Sequence, residues 1–224
     1  AIYGAQAANG VIIVNMKKGK EGAPKINLKA SVGGDQLPRR LDVMNLRDFA
    51  HWAYDAKLIS TGDTIQRFKN WETLGDGTDW QSEIFRTGIR QDYNLSIRGG
   101  TKALTYSVSG GYYSQQGIVI NNDFHRFNIR AQVDAKPFKW LEVGASATLT
   151  QTDRNTGMST WNIVGNALQG LPNFPVKNED GSWGKSGYDS ETQVYQPNPV
   201  AKASITQRVN KIFNTRDRVY VTIK

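Results

Sequence analysis

The sequence predicts an all-β fold of antiparallel hairpins, of the kind that builds a transmembrane β-barrel. Three observations carry that reading. Apolar and polar residues alternate over runs of about ten residues, longer than the usual strand and matched to a tilted membrane strand. The connections between runs alternate between tight turns and longer loops. No apolar run of about 18 residues exists, as a membrane helix would need. The mean hydropathy of −0.53 suits half-apolar strands with polar loops.

The runs follow in order. Ile26, Leu28, Ala30 and Val32 alternate with Asn27, Lys29 and Ser31. Tyr93, Leu95 and Ile97 alternate with Asp92, Asn94, Ser96 and Arg98. Leu104, Tyr106 and Val108 follow the same rule, as do Phe127, Ile129, Ala131 and Val133. Leu141, Val143, Ala145, Ala147 and Leu149 form the fifth clear run. Weaker runs cover 200–210 and 217–224, with a short turn expected near 213–216, which makes about seven strands. A period of two puts one apolar face on each strand and one polar face opposite it. The polar side collects Asp92, Arg98, Arg126, Arg130, Asp134 and Glu142.

A soluble sandwich and a barrel with a wet lumen both show such alternation. The connections favour the barrel. Gly99-Gly100-Thr101-Lys102 reads as a tight turn with glycine free to take positive φ. Lys136-Pro137-Phe138-Lys139 reads as another. The opposite ends carry a medium loop at 115–122 and long ones at 35–90 and 151–199, and this sorting is an outer-membrane barrel's signature. A helix is expected within the first long loop, over about 45–58. Asn45 is its N-cap, and Leu46, Phe49, Ala50 and Ala53 or Tyr54 form its apolar side.

Composition narrows the chemistry. Zero cysteines in 224 residues exclude a disulfide scaffold and a thiolate metal site. The two histidines, His51 and His125, fall in separate elements, so neither a metal nor another cofactor is expected. Gly184-Lys185-Ser186 imitates the end of a phosphate loop, but Glu179 stands where its first glycine belongs. A net charge of +8 permits nucleic acid or anionic lipid without selecting either. The strand arginines alternate with carboxylates and form no basic aromatic face, so nucleic acid is not expected as a partner. Lys17, Lys18 and Lys20 read as a polar linker. No catalytic constellation is present, and an enzyme is not expected.

Several blocks, in order, resemble one family. The opening Ala1-Ile2-Tyr3-Gly4-Ala5-Gln6-Ala7-Ala8-Asn9-Gly10-Val11-Ile12-Ile13-Val14 looks like the close of the plug in TonB-dependent transporters. Thr78-Asp79-Trp80-Gln81-Ser82-Glu83-Ile84-Phe85-Arg86-Thr87 and Asn94-Leu95-Ser96-Ile97-Arg98-Gly99-Gly100 resemble blocks of the SusC/RagA branch. Tyr106-Ser107-Val108-Ser109-Gly110-Gly111-Tyr112-Tyr113, Gln116-Gly117-Ile118-Val119 and Asn198-Pro199-Val200-Ala201 do the same. Position 82 departs from the family pattern, with Ser where Asp is frequent.

The resemblance implies a 22-stranded outer-membrane barrel of Gram-negative, Bacteroidota type, of which this chain holds a part. Residues 1–22 would close the plug and 23–224 would begin the barrel, with 35–90 and 151–199 outside the cell. Phe138 and Trp140 would sit in the periplasmic aromatic girdle, and Tyr112, Tyr113 and Phe124 near the outer one. The implied work is import of oligosaccharides or peptides. A SusD-like lipoprotein would cap the barrel, the TonB-ExbB-ExbD complex would supply energy, and outer-membrane lipid would surround it. Asp92, Arg98, Arg126, Arg130, Asp134 and Glu142 would face the lumen. Trp161, Asn162, Trp183, Tyr188, Asp189 and Tyr195 are the candidates for substrate or lid contact, because aromatic faces stack on sugar C–H surfaces while amides and carboxylates take hydroxyls. The rival readings are a soluble β-rich glycan-binding module and a ferric-siderophore receptor of the same fold.

Overall fold

The fold was analysed in a computed structural model that describes residues 10, 17–56, 68–157, 159–185, 187–189 and 194–224. The expected plug segment at 1–14 lies outside the described residues except for Gly10. Six long strands form one antiparallel sheet: β1 (Gly22–Asp35), β2 (Gly88–Gly100), β3 (Leu104–Gln116), β4 (Asp123–Phe138), β5 (Leu141–Asn155) and β8 (Val209–Ile223), in the order β1-β2-β3-β4-β5-β8. Two short strands, β6 (Gly187–Asp189) and β7 (Val194–Gln196), pair apart from it. The long strands run 13 to 16 residues, further than the sequence period alone marks.

The sheet holds six strands where the sequence suggests seven. The run at 200–210 divides into a helix, α4 (Pro199–Ile205), and the start of β8, and no turn occurs at 213–216. Two features explain the helix. Asn198 caps it, its side chain accepting from the Ala201 amide at 2.9 Å, and Pro199 sits where an unpaired N–H is tolerated. Thr215 and Asp217 interrupt the apolar period of β8 without breaking it.

Register fixes which residues share a face, because partners directly across a ladder point the same way. One row reads Leu28, Leu95, Gly110, Ile129, Leu149 and Thr215 across the six strands. Another reads Ala30, Tyr93, Tyr112, Phe127, Gln151 and Phe213. This face is apolar and open: Leu28 is 70% exposed and Val219 79%. From the row of Leu141 to that of Gln151 is ten residues, about 34 Å along the strand. At a barrel tilt of about 40° that is about 26 Å of height, the height of a lipid-facing band.

The turns sit at one end. Thr101, Lys102 and Ala103 join β2 to β3, with the Thr101 amide on the Leu104 carbonyl at 2.7 Å. Gly100 takes φ 151°, which a side chain would oppose. Lys139 and Trp140 close β4 onto β5: β4 runs to Phe138, three residues into the expected 136–139 turn, through a bulge between Ala135 and Phe138.

The long loops sit at the other end and fold. Helices α1 (Leu46–Asp55), α2 (Trp80–Ile84), α3 (Thr160–Gln169) and α4 join a 3-10 turn, Trp71–Thr73. Asn45 caps α1 as expected, and α1 ends at Asp55; residues 57–58 of the expected helix lie outside the described residues. Trp80, Ile84, Val119, Ile163, Ala167 and Ala203 make a buried core that ties the two long loops together. A second cluster packs Ala50, Ala53 and Phe68. No described helix is long and apolar enough to cross a membrane.

Candidate functional site

The polar face of the sheet is built by the opposite parity. Asp92, Arg98, Arg126, Arg130, Asp134 and Glu142 all lie on it, as the register requires. Asp92 lies across from Tyr113, and Tyr113 from Arg126, whose guanidinium stands 5.5 Å over the Tyr113 ring. The Asn94 side chain donates to Asp92 at 2.6 Å.

Toward the turn end the groups join into a chain. Arg130 donates to Gln132 at 3.1 Å and to the Thr148 hydroxyl at 3.3 Å. Gln132 donates to Asp134 at 2.9 Å, and both are buried. The Tyr220 hydroxyl donates to Asp134 at 2.5 Å and reaches Glu142 at 3.4 Å. Gly144 makes this possible: a Cβ there would meet the Tyr220 ring at 2.3 Å and the Asp134 carboxylate at 2.7 Å. The linker lies over the same place. The Lys18 ammonium is 5.8 Å from the Tyr220 ring, and a Cβ at Gly19 would meet the Tyr106 backbone at 2.5 Å. Gly144 and Tyr220 escaped the sequence reading, because only the β5–β8 register sets them opposite each other.

Tyr113 and Phe124 correct an expectation. They lie on the polar face, packed edge to face at 5.8 Å, and not in the outer girdle. Strand parity is the cause: adjacent Tyr112 and Tyr113 cannot both face outward. The aromatic row on the apolar face is Tyr93, Tyr112, Phe127 and Phe213. Phe138 and Trp140 stack at 5.5 Å beside the turns, at the opposite end of the strands.

The loop candidates do not gather into one described cluster. Asn162 is exposed on α3. Trp183 is half-buried, bridged to Lys177, whose ammonium lies 5.0 Å from its ring. Trp161 belongs to α3, Tyr188 and Asp189 to β6, and Tyr195 to β7; their side chains lie outside what the structure describes. Tyr188 and Tyr195 are backbone partners in the β6–β7 register.

The block around Trp80 is structural. Trp80 is buried and its indole donates to the Leu171 carbonyl at 3.0 Å. Asp79 caps α2, accepting from the amides of Gln81 and Ser82. Ser82, the departure from the family pattern, bonds the Asp79 carboxylate through its hydroxyl and accepts from Arg40 at 2.5 Å. Partial burial raises the Asp79 pKa, but the Ser82 hydroxyl and amide and the Arg40 charge outweigh it, and the carboxyl ends below its ordinary value. Among the described residues no group of three or more His, Cys, Asp or Glu is placed to hold a metal.

No family model matches the chain. The TonB-dependent receptor SusC of Bacteroides thetaiotaomicron is 34% identical over 215 residues, covering 89% of this chain and 20% of that protein. The TonB-dependent receptor P3 of Formosa agariphila is 28% identical over 219 residues, covering 93% and 20%. The chain therefore spans about a fifth of the length of these curated relatives. Among solved structures, the RagAB peptide transporter aligns over the whole chain and 29% of its own, with TM-score 0.75 and 21% identity. The RagAB peptide importer in its open-open state aligns at TM-score 0.76, with 21% identity, over the whole chain and 28% of its own. The two-faced sheet thus matches a segment of a TonB-dependent barrel, and along most of this chain's length its sequence is similar to a segment of the SusC-like TonB-dependent receptors.

Proposed function

We propose that this chain forms part of an outer-membrane transporter that imports oligosaccharides or peptides. The observation that carries the reading is the sheet's division into an apolar outer face about 26 Å tall and a hydrogen-bonded polar face. Water would not tolerate that apolar area, and lipid would. Lipid in turn cannot satisfy the backbone of the edge strands β1 and β8, so closure into a barrel needs further strands beside them.

In this reading residues 1–22 end a plug and 23–224 begin the barrel wall. The short turns lie in the periplasm and the packed loops outside. Asp92, Arg98, Arg126, Arg130, Asp134 and Glu142 line the interior, where water and the plug satisfy mixed charge. A SusD-like lipoprotein covers the loop end, and the TonB-ExbB-ExbD complex acts on the plug from the other side. The role of Trp161, Asn162, Trp183, Tyr188, Asp189 and Tyr195 is contact with substrate or with that lid. The work is transport and not catalysis, in keeping with relatives that are receptors.

Deletion of the full-length receptor tests the reading. Loss of growth on one class of oligosaccharide or peptide, restored by the intact gene and not by one with its TonB-contacting segment removed, is the expected result. Full uptake in the deletion strain would overturn it. Co-purification of a surface lipoprotein with the wild-type receptor, absent after truncation of the 151–199 loop, tests the lid.

A further inference from the structure

The two turns at the base of the sheet lie side by side, the Lys136 amide donating to the Ala103 carbonyl at 2.7 Å. Between them is a cavity of about 440 Å³ lined by Lys102, Lys136, Lys139 and Lys224, with Phe138 and Leu141 as its apolar wall. Among the described residues that line it, Glu142 carries the one side-chain carboxylate, 3.9 Å from Lys224. Lys102, Lys136 and Lys139 have no ion pair among the described residues. Lysines brought to one hollow from two adjoining turns favour a compact anion there.

The hollow continues onto the apolar face. Phe138 pairs with Leu141, and Leu141 with Ile223, which is 73% exposed. Val143 and Val221 extend the same strip up the sheet. The stacked Phe138 and Trp140 rings stand beside the turns, where aromatic side chains mark a membrane–water boundary. The arrangement is amphipathic: cations at the tip, then aromatics, then an aliphatic strip.

We propose that this rim is a binding site for an anionic phospholipid of the adjoining leaflet, resting on the membrane reading above. The phosphate head lies among Lys102, Lys136 and Lys139, and an acyl chain runs along Leu141, Val143 and Ile223. The lysines supply charge selectivity, and the strip supplies affinity that a free phosphate cannot gain. A zwitterionic lipid gains the strip and not the charge.

The test uses the full-length receptor in nanodiscs of phosphatidylethanolamine and phosphatidylglycerol at three to one, with retained lipids counted by native mass spectrometry. At about fivefold per basic residue near a membrane surface, the triple Lys102→Gln/Lys136→Gln/Lys139→Gln variant binds phosphatidylglycerol roughly a hundredfold more weakly. Phosphatidylethanolamine retention stays as in wild type, and the corresponding triple Arg variant keeps phosphatidylglycerol. Unchanged phosphatidylglycerol retention in the Gln variant, or an equal loss of both lipids, overturns the proposal. Displacement of phosphatidylglycerol by equimolar glycerol 3-phosphate also overturns it, since that competitor has no acyl chain. Heat-modifiable migration of the unheated receptor reports barrel closure separately. Its absence in wild type would sink the membrane reading, whereas its presence with unaltered lipid retention would sink only the lysine site.

Discussion

The molecule treats its apolar residues in two opposite ways. At the loop end, Ile84, Ile163 and Ala203 are fully buried, and α2, α3 and α4 close around them as in any water-soluble core. On the sheet, Leu28, Leu95, Val108, Ile129 and Val219 share one face and are exposed, with no described helix or loop core closed over them. In the proposed reading the same residue types answer to two solvents: the loops bring their own core because they stand in water, and the strands need none because hydrocarbon supplies it. The polar groups reverse accordingly: the loops expose Arg40 and Asp79, while the sheet gathers Arg130, Gln132 and Asp134 on its opposite face and bonds them to one another.

The sharpest break of this contrast is at the loop core. Ile84→Ala removes a fully buried side chain and costs about 2–5 kcal/mol of local stability. Limited proteolysis of the full receptor should then cut within the loops while the barrel still migrates as folded. Next comes the sheet. Leu28→Lys places a charge in the middle of the apolar band and costs about 2–4 kcal/mol. Ser31→Lys, on the polar face across from Asp92 in the same strand, stays within about 0.5 kcal/mol. Denaturant titration of the refolded receptor compares the pair, and equal effects would refute the assignment of the faces.

Gly144→Ala should cost about 1–3 kcal/mol by driving the Tyr220 ring off Asp134. In combination with Tyr220→Ala it should cost less than the sum of the two, because the clash is then gone. The smallest effect is at Asp79. Asp79→Asn keeps an acceptor oxygen for the Gln81 and Ser82 amides but loses the charge that pairs with Arg40, a cost of about 0.2–1 kcal/mol. The native carboxyl sits below its ordinary value, so its contribution is complete above about pH 4 and fades as pH falls through the lower folded value. Pepsin cutting of the loops should rise with acidity in wild type across that window, and change less with pH in the Asn variant.

Alternation made the sheet legible in the sequence, since a period of two needs no tertiary information. Leu104 through Val108 and Phe127 through Val133 specify their faces unaided, and with them the six charged positions of the polar face. Asn45 was legible as a cap for a similar reason, its partner being three residues away. Long-range pairing was not legible. That Gly144 meets Tyr220, that Asn121 at φ 59° holds the Thr206 carbonyl at 2.8 Å, and that Trp80 reaches Leu171 depend on residues some 75 to 90 positions apart. The division of 200–210 between helix and strand was hidden because Val200, Ala201 and Ala203 suit either until Asn198 and Pro199 start a turn. The lysine rim was hidden because its turns meet only when the hairpins lie side by side.

The central claim is that one face of this sheet meets lipid and the other water. A nitroxide scan from Arg126 to Asp134 in the full receptor tests it most directly, and this stretch carries no cysteine to interfere. Collisions with dissolved oxygen and with a water-soluble nickel chelate are measured in lipid vesicles. Oxygen access should peak at positions 127, 129, 131 and 133, with nickel access out of phase at 126, 128, 130, 132 and 134. High nickel access at both parities, without a period of two, would contradict it.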